Sequence, residues 1–409
     1  MENKRVVIIG AGASGLIAGA ESAKRKNNTV ILEKNSRVAR KVMITGKGRC
    51  NVTNAAFEIE DLISNVVTNP RFMYSAFSAF MPYDTIALLE ELGVPTKIER
   101  GNRVFPESDK AVDIVDALHK NATQNGAEIV QGTARAFRFE NSRIAAVILD
   151  DSSEIPCDAV AICTGGKSYS KTGSTGDGYA LAKSAGHTVT ELKPSLVPLV
   201  CSNNFITQLQ GLSLRNVSVT LTEQGKKIYT DFGEMLFTHF GVSGPVILSA
   251  SCHMNEPENK EYKLHIDLKP ALDTAQLDKR IQRDFAENNN RDFINSLSKL
   301  LPKKLIPVIV RLSGIEPGVK CNSITREQRQ SLVKLLKNFT LDITAFRPIE
   351  EAVVTSGGVN VKEIDSKTMR SKLVDNLYFA GEVIDVDAYT GGFNLQIAFS
   401  TGYLCGNNI

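Results

Sequence analysis

Three glycines near the start of the chain have the spacing of a phosphate-binding loop. Gly10, Gly12 and Gly15 form a G-x-G-x-x-G pattern between the apolar run Val6–Ile9 and an alanine-rich segment. In such a loop the first glycine permits a tight turn, the second lets the backbone approach a pyrophosphate, and the third lets strand and helix pack closely. The free N–H groups of the following helix attract phosphate oxygens. The pattern therefore predicts a dinucleotide site.

An acidic residue supports the same interpretation. Glu33 ends the apolar run Thr29–Leu32 and lies 18 residues after Gly15. A carboxylate at this distance accepts hydrogen bonds from ribose hydroxyls and repels a 2′-phosphate. The alternative is a glycine turn in an unrelated fold, and the two flanking strands together with Glu33 make that alternative the weaker one.

Four later segments could hold the other half of such a cofactor. Lys41 and the basic run Thr45–Asn51 suit a pyrophosphate or a flavin edge, and the alternative is a solvated loop. Thr164–Gly166 end one apolar strand, and Gly381–Asp385 follow another, where a carboxylate can hold a ribityl chain. Gly391–Gln396 open a helix whose N–H groups would face the flavin N1–C2=O edge and stabilise the anionic reduced form. Because a plain NAD dehydrogenase would not need these clusters, the residues favour FAD.

The composition limits the class of protein. The chain has 409 residues, of which 42% are hydrophobic, so we expect two or three domains rather than one core. The formal net charge of +3 does not argue for a nucleic-acid partner, although it leaves room for a local basic patch.

The apolar runs and the cysteines indicate the compartment. No apolar run approaches the ~20 residues that span a bilayer, and Val6–Ile9 lead into the glycine loop and not into a cleavage site. We therefore expect a cytoplasmic protein without a membrane partner. The seven cysteines are scattered and form no C-x-x-C pair, which fits reduced thiols and argues against a zinc ribbon, an iron–sulfur cluster or a dithiol flavin reductase. No metal is expected.

The order of apolar runs predicts an α/β fold with a discontinuous, Rossmann-like FAD-binding core of the two-dinucleotide-binding type. We expect this core at residues 1–190 plus 345–409, an antiparallel β domain at 191–270 plus 325–344, and a small helical domain at 271–324. Within the core, Ala111–Asn125 reads as an amphipathic helix with Val112, Val115 and Leu118 on one face. A hairpin is expected to turn at Asn141 and Ser142.

The chain resembles the BaiN/RdsA-type flavoproteins, also described as the aminoacetone oxidase family of FAD-binding enzymes. The resemblance covers essentially the whole chain and is carried by Thr45–Asn51, Arg103–Pro106, Thr172–Gly178, Gly233–His239 with Gly241–Pro245, and Gly381–Gln396. It implies a discontinuous FAD domain, a β-barrel-like domain and a small helical domain. Phe393 stands where tyrosine is common in the family, and Ile397 and Phe399 stand where tryptophan is common, which implies an altered pocket wall.

The pattern and the resemblance together give one set of expected cofactor contacts. They are Gly10, Gly12, Ala13, Ser14, Gly15, Glu33, Lys34, Lys41, Thr45, Gly46, Gly48, Arg49, Cys50, Asn51, Ala134, Thr164, Gly165, Gly166, Gly381, Glu382, Asp385, Gly391, Gly392, Phe393, Asn394, Leu395 and Gln396.

Four side chains are candidates for the chemistry at the flavin. Arg49 could pair with a flavin carbonyl or a substrate anion. Cys50 could act as an acid or a redox thiol, but without a partner cysteine a packing role is favoured. His239 could donate a proton, because histidine titrates near neutrality, although a lone histidine is more often structural. Tyr389 could supply a phenol or only an aromatic wall.

Other polar side chains are less specific. Asp387 is expected to be solvated. Lys303 and Lys304 in the basic helical segment could touch RNA, and a solvated face is the favoured alternative.

The resemblance leaves three functions open. One is hydride transfer to a conjugated C=C bond, in a 3-oxo bile acid or in a uridine of ribosomal RNA, with NAD(P)H as a transient electron donor. The second is oxidation of a small amine such as aminoacetone, which produces hydrogen peroxide. The third is a flavoprotein that binds ribosomal RNA without turnover. The chain has only one complete G-x-G-x-x-G, so a dedicated NAD(P)H domain is not evident. The residues do not specify an oligomeric state.

Overall fold

A computed structural model of the chain describes residues 3–409 and divides them into two compact units. The first unit comprises the described residues up to Ser195 together with Pro348–Ile409, and the second is Leu196–Arg347. No helix among these residues is both long enough and apolar enough to cross a membrane.

The helices are short, and most are amphipathic or buried. In chain order they are α1 Ala13–Lys24, α2 Arg40–Ile44, α3 Ile59–Ser64, α4 Tyr74–Ala79, α5 Pro82–Glu91, α6 Ala111–Gln124, α7 Asp177–Ser184, α8 Ile206–Leu209, α9 Pro245–Ser251, α10 Thr274–Ala286, α11 Phe293–Ser296, α12 Ile306–Ser313, α13 Arg326–Lys337 and α14 Phe393–Asn408.

The strands alternate with these helices in the first unit and cluster in the second. They are β1 Arg5–Ile9, β2 Asn28–Glu33, β3 Thr53–Asn54, β4 Thr96–Glu99, β5 Arg103–Pro106, β6 Glu128–Gln131, β7 Ala134–Glu140, β8 Arg143–Leu149, β9 Glu154–Pro156, β10 Ala159–Ile162, β11 Lys193–Ser195, β12 Leu199–Cys201, β13 Ser213–Glu223, β14 Lys226–Phe237, β15 Gly241–Ser243, β16 Tyr262–Asp267, β17 Phe339–Phe346, β18 Val354–Ser356 and β19 Leu377–Phe379.

A parallel five-stranded sheet forms the centre of the first unit. Its strand order is β19-β10-β1-β2-β6. The inner strands are continuous apolar runs because a parallel sheet is covered on both faces, and Val6 and Ile8 are completely buried. All five carboxyl ends lie at one edge, which is where ligands bind in open α/β sheets. The FAD-binding Rossmann-like fold class predicted from the sequence is confirmed.

The first and last helices of this unit pack unusually close together. A Cβ atom added to Gly402 would lie 2.5 Å from the Ser14 carbonyl oxygen, and one added to Gly406 would lie 2.4 Å from that of Ala18. Two glycines one turn apart on α14 therefore let its backbone touch α1. The start of α1 is fixed in this way by residues near the other end of the chain.

The second unit contains a closed barrel of six strands in the order β12-β15-β14-β13-β16-β17. The barrel-like domain implied by the family resemblance is confirmed. Helices α10 to α13 share one hydrophobic core with the barrel, in which Leu277, Ile309 and Leu336 lie beside Val219 and Phe339. We therefore describe the helices and the barrel as one unit.

Two local predictions have different outcomes. The hairpin β7–β8 turns at Asn141 and Ser142, whose φ angles of 47° and 63° fit a tight hairpin turn, so that prediction is confirmed. The prediction for Val112 is wrong, because its side chain is 38% exposed. The buried stripe of α6 is centred on Ile114 and Leu118, and Val112 lies outside it.

Candidate functional site

The three glycines of the first loop have different structural roles. Gly10 has a φ of 102°, and a Cβ there would lie 2.7 Å from the Cys163 carbonyl oxygen. A Cβ on Gly15 would lie 1.8 Å from the carbonyl oxygen of Gly10. Gly12 has an ordinary φ of −80°, and its Cβ would have no neighbour nearer than 4.0 Å among the described residues. The fold itself requires Gly10 and Gly15, whereas Gly12 leaves backbone bare for a ligand.

The start of α1 offers free donors beside a fixed carboxylate. Within the described chain, no side chain caps the first turn of α1 at Ala13 and Ser14. Glu33 is 8% exposed, and its Oε2 accepts the Ala11 N–H at 2.9 Å while Oε1 accepts the Asn35 N–H at 2.8 Å. These bonds hold the carboxylate against the glycine loop, where the sequence predicts a ribose. The uncapped N–H groups and the helix dipole favour an anion at this point.

The segment that begins at Gly381 touches the first glycine loop. Gly381 has a φ of 79°, and a Cβ there would lie 2.4 Å from Ser14 Oγ. Its N–H donates to Thr401 Oγ1 at 2.9 Å. The segment after β19 is therefore held directly against the start of α1.

Lys41 and Glu382 form an ion pair at the same edge of the sheet. Lys41 Nζ lies 2.6 Å from Glu382 Oε2 and 2.7 Å from Ser168 Oγ. Glu382 Oε1 accepts the Thr355 N–H at 2.9 Å, and a Cβ on Gly166 would lie 2.7 Å from that oxygen. The structure thus brings three separately predicted segments together.

Three further predicted residues lie beside this edge. Lys34, which follows β2, forms an ion pair with Asp177 at the start of α7 and bonds Thr175 Oγ1 at 2.5 Å. Gly165 has a φ of 74°, so it provides the turn after β10. Thr164 Oγ1 packs against α7, because a Cβ on Gly178 would lie 2.0 Å from it.

The loop that contains Thr45 and Gly46 is tightly turned. Gly46, Lys47, Gly48 and Cys50 all have positive φ angles between 56° and 83°. Asn51 Oδ1 is buried and has no hydrogen-bond partner among the described residues. A buried acceptor without a donor is costly, so this atom fits a donor supplied by a ligand.

Arg49 is anchored by the protein. Its guanidinium lies 2.5 Å from carboxylate oxygens of both Glu99 and Asp109, and 4.1 Å from the centre of the Phe105 ring. Hydrogen bonds to Glu99 and then Asp109 raise the pKa of Arg49. The bond from Arg49 lowers the pKa of Glu99, and bonds from Lys97 and then Arg49 lower the pKa of Asp109. These contacts support a role in holding the loop more than a free contact to a substrate anion.

Cys50 is completely buried, and burial raises the pKa of its thiol to about 11. Such a thiol is neutral at pH 7 and is not a reactive thiolate. Its environment favours the packing role over redox chemistry.

The final glycine pair lies against β3. Gly391 and Gly392 have φ angles of 124° and 102°, and Gly392 caps α14. A Cβ on Gly392 would lie 2.3 Å from the Thr53 carbonyl oxygen, and Asn54 Nδ2 donates to the Gly391 carbonyl at 3.0 Å. The N-terminus of α14, which lacks a side-chain cap among the described residues, is thereby fixed beside β3.

Two predicted contact residues in α14 use their side chains internally. Asn394 accepts the Ala388 N–H at 2.9 Å and donates to its carbonyl at 2.7 Å. Gln396 is completely buried, and its Oε1 accepts the hydroxyls of Thr53 at 2.6 Å and Thr85 at 2.8 Å. These amides shape the loop, which leaves the backbone of this segment, including buried Phe393 and half-buried Leu395, as the surface for a ligand.

The acidic residues after β19 differ from one another. Burial raises the pKa of Asp385, and the Asp385 carbonyl accepts Asn69 Nδ2 at 2.7 Å. The prediction that Asp387 is solvated is wrong, because it is 1% exposed and accepts the hydroxyls of Ser195 at 2.7 Å and Ser356 at 3.1 Å. Asp387 therefore supports the loop from inside.

Three predicted residues remain, and they lie in three different segments of the chain. Tyr389 is half-buried in the loop before α14, and its N–H donates to the Asn65 carbonyl at 2.9 Å. His239 belongs to the second unit, where it is exposed at the β14–β15 turn with its ring 5.0 Å from that of Phe240. Ala134 is the buried first residue of β7.

Sequence reasoning missed several residues of the site. Ser168 and Thr355 bind the Lys41–Glu382 pair but carry no local pattern. Tyr179 follows a stretch that carries the family resemblance, and its Oη is buried without a partner among the described residues. Burial and then the nearby carboxylates raise its pKa. In residues 3–409, no group of three or more His, Cys, Asp and Glu side chains is arranged to hold a metal ion.

These features fit FAD. The bare backbone at Gly12 and the uncapped start of α1 suit a pyrophosphate, and the buried acceptor of Asn51 suits a donor such as the flavin ring provides.

Comparisons with known proteins identify the family. A family model described as the HI0933-like protein Rossmann domain matches residues 4–408. A 3-dehydro-bile acid delta(4,6)-reductase of Clostridium scindens is 32% identical over 410 residues, which cover 98% of each chain. A ribosomal RNA dihydrouridine synthase of Haemophilus influenzae is 32% identical over 409 residues, again 98% of each chain.

One solved structure shows the fold at greater distance. A 3-ketosteroid delta1-dehydrogenase from Sterolibacterium denitrificans, with 9% identity, has a TM-score of 0.56 and covers 100% of this chain and 99% of its own. The chain belongs to the HI0933-like Rossmann family and is a flavoprotein oxidoreductase with a Rossmann-type FAD-binding domain.

Proposed function

We propose that the protein is an FAD-dependent reductase that saturates a C=C bond conjugated to a carbonyl group, with NAD(P)H as the electron donor. The observation that carries this proposal is the pair of full-length relatives at 32% identity, because both are named for such a reduction. A delta(4,6)-reductase of a 3-dehydro bile acid acts on a dienone, and a dihydrouridine synthase saturates the C5=C6 bond next to the C4 carbonyl of uridine.

The two reactions have the same balance for each C=C bond that is saturated. NAD(P)H and one proton are consumed, a hydride is added to the β-carbon and a proton to the α-carbon, and NAD(P)⁺ and the saturated carbonyl compound leave. When bound, FAD supplies the N5 position that accepts the hydride and passes it on. The protein has to bind FAD, orient the enone, and deliver the proton.

The chain's own residues divide these tasks. We assign the pyrophosphate to Gly12 and the start of α1, the adenosine ribose to Glu33, and the ribityl region to the Lys41–Glu382 pair. The uncapped start of α14 would stabilise negative charge at the flavin N1–C2=O edge through its N–H groups.

Three side chains are candidates for the proton donor. Cys50 is disfavoured because burial raises the pKa of its thiol to about 11, which makes it a weak acid, and because the thiol has no access to solvent. We propose Tyr389 as the first candidate, because it lies two residues before Gly391 and close in sequence to Gly392, which caps α14. His239 is the second candidate. Replacing the residue that gives a proton to the substrate should slow only the reoxidation of the flavin by the substrate.

Anaerobic stopped-flow absorbance tests the proposal. The purified protein should contain FAD, NADH or NADPH should bleach its absorbance, and a 3-oxo-Δ4 steroid or a uridine-containing RNA should restore it, with a product that has gained two hydrogens. Tyr389→Phe should slow the second step and leave the first unchanged. If neither NADH nor NADPH bleaches the flavin, the reductase proposal is wrong. Release of hydrogen peroxide that depends on an amine would instead establish the oxidase alternative.

A further inference from the structure

The hydroxyl of Tyr179 is buried and has no partner in the described part of the chain. The residue is 5% exposed, and its Oη forms no hydrogen bond within residues 3–409. A buried hydroxyl without a partner is costly, because it has lost its bonds to water and gained none in return. A phenylalanine would fill the same space without this cost. We therefore expect a partner that the protein itself does not supply.

Two glycines place Tyr179 at the end of a central strand. Gly176 has a φ of 89°, and a Cβ there would lie 3.3 Å from Cδ2 of the Tyr179 ring. A Cβ on Gly178 would lie 2.0 Å from Thr164 Oγ1 and 2.9 Å from Ile162 Cγ2. The first turn of α7 is therefore pressed against the end of β10.

Strand β10 lies between the two strands that lead into predicted cofactor segments. β1 continues into the loop Gly10–Gly15, and β19 continues into Gly381 and Glu382. β10 pairs with both of them in parallel. The carboxyl ends of all three strands therefore meet at one edge, where ligands bind in open α/β sheets. Tyr179 follows the residue that touches this edge.

Two carboxyl groups lie near the phenol without bonding it. Burial and then the charges of Glu382 and Asp385 raise the pKa of Tyr179, so the phenol is neutral at pH 7. Glu382 is bonded to other groups, because its Oε2 accepts Lys41 Nζ at 2.6 Å and its Oε1 accepts the Ser168 hydroxyl at 3.1 Å. The negative charges make this an unfavourable place for a phosphate, whereas a neutral hydroxyl is not repelled.

We propose that the Tyr179 hydroxyl forms a hydrogen bond with a hydroxyl group of the ribityl chain of FAD. A ribityl hydroxyl is neutral and can both donate and accept, so it matches a phenol beside carboxyl groups. The contact holds the middle of the cofactor, between the pyrophosphate at α1 and the flavin edge at α14. The inference rests on the proposed assignment of the ribityl region to the Lys41–Glu382 pair, and it does not depend on which reaction the flavin performs.

Tyr179→Phe separates this role from an internal one. The apoprotein loses a hydroxyl that has no partner, so its urea midpoint should not fall. FAD loses one hydrogen bond, so its Kd should rise about 2- to 12-fold in a titration of flavin fluorescence.

The matched control is Tyr378→Phe in the same unit. Tyr378 is 6% exposed, but its hydroxyl donates to the Asn408 carbonyl at 3.0 Å. The control should show the reverse pattern, with a lower urea midpoint and an unchanged Kd for FAD. The proposal is overturned if Tyr179→Phe binds FAD like the wild type, or if it loses as much apoprotein stability as Tyr378→Phe.

FAD analogues identify the group that Tyr179 contacts. Analogues that lack the 2′-, 3′- or 4′-hydroxyl of the ribityl chain are titrated into the wild type and into Tyr179→Phe. Removing the hydroxyl that bonds Tyr179 should weaken binding to the wild type but not weaken binding to the variant any further, because both changes remove the same bond. If each removal weakens both proteins by the same factor, the partner lies elsewhere and the proposal is overturned.

Bleaching of the flavin by NADH or NADPH is measured on the same samples. If the flavin is bleached but no analogue distinguishes the two proteins, the Tyr179 proposal fails and the reductase stands. If one analogue distinguishes them but neither nicotinamide bleaches the flavin, the reductase fails and the ribityl contact stands.

Discussion

Replacing Gly12 should separate cofactor binding from folding. Gly12 has an ordinary φ of −80°, and an alanine Cβ would meet nothing nearer than 4.0 Å among the described residues. Loss of glycine at a helix cap costs up to about 1 kcal/mol, and the stiffer unfolded chain offsets about 0.4–1 kcal/mol of this. We therefore expect the free energy of unfolding of apo Gly12→Ala to stay within about 1 kcal/mol of the wild type.

The same methyl group should weaken FAD binding strongly. It would stand where the backbone has to approach a pyrophosphate. Displacing one phosphate oxygen from one N–H loses a hydrogen bond to a charged group, worth about 1.5–3 kcal/mol. This corresponds to a Kd for FAD that is about 10- to 150-fold higher.

Gly15→Ala is the matched control in the same loop. Its Cβ would lie 1.8 Å from the Gly10 carbonyl oxygen, and Gly10 is itself held at a φ of 102°. Overpacking of this kind costs about 1–3 kcal/mol or more, so the apo protein should lose stability. Urea unfolding of apoprotein and flavin fluorescence titration measure the two quantities separately. The reasoning is refuted if Gly12→Ala binds FAD like the wild type, or if it loses as much apo stability as Gly15→Ala.

Three further predictions follow from the site and its surroundings. Iodoacetamide at pH 7.5 should leave Cys50 unmodified in native protein, because the thiol is buried with a pKa of about 11, and peptide mass spectrometry checks this. Arg49→Lys should lower the Tm, since lysine cannot bridge Glu99 and Asp109 in the same way, while the rate of flavin bleaching by NAD(P)H stays unchanged. Burial lowers the pKa of His187, so the unfolded chain takes up a proton first and stability should fall as the pH drops below about 6.5, by at most about 1.4 kcal/mol per pH unit. Urea unfolding at pH 5 to 8 should show a shallower slope for His187→Asn, and an identical slope would contradict the assignment.

The features that the sequence predicts well are local. The first loop, its flanking strands and Glu33 lie within 29 consecutive residues. The chemical role of each follows from its neighbours along the chain. The barrel followed from the family resemblance and not from strand periodicity alone. The exposed Val112 shows the limit of periodicity, because its position relative to the buried stripe depends on where the helix meets the sheet.

The features that the sequence does not predict are long-range partners. Lys41 and Glu382 are 341 residues apart, and nothing near either one indicates the other. Gly392 has to be small because of Thr53, which belongs to strand β3 far away in the sequence. Arg49 looked available for a ligand because Glu99 and Asp109 have no spacing that marks them as its partners. Only the folded structure shows which polar groups are already paired within the protein.

The contact of Gly402 and Gly406 with the backbone of α1 has a consequence for biosynthesis. α1 leaves the ribosome before the second unit, but its partner α14 and strand β19 emerge only after the whole second unit has been made. The nascent first unit therefore waits with an uncovered helix and an unpaired side of β10, and such surfaces are prone to aggregation. We therefore expect flavin capture to follow the synthesis of α14, and a shortage of FAD during rapid synthesis should appear as insoluble protein before it appears as soluble apoprotein.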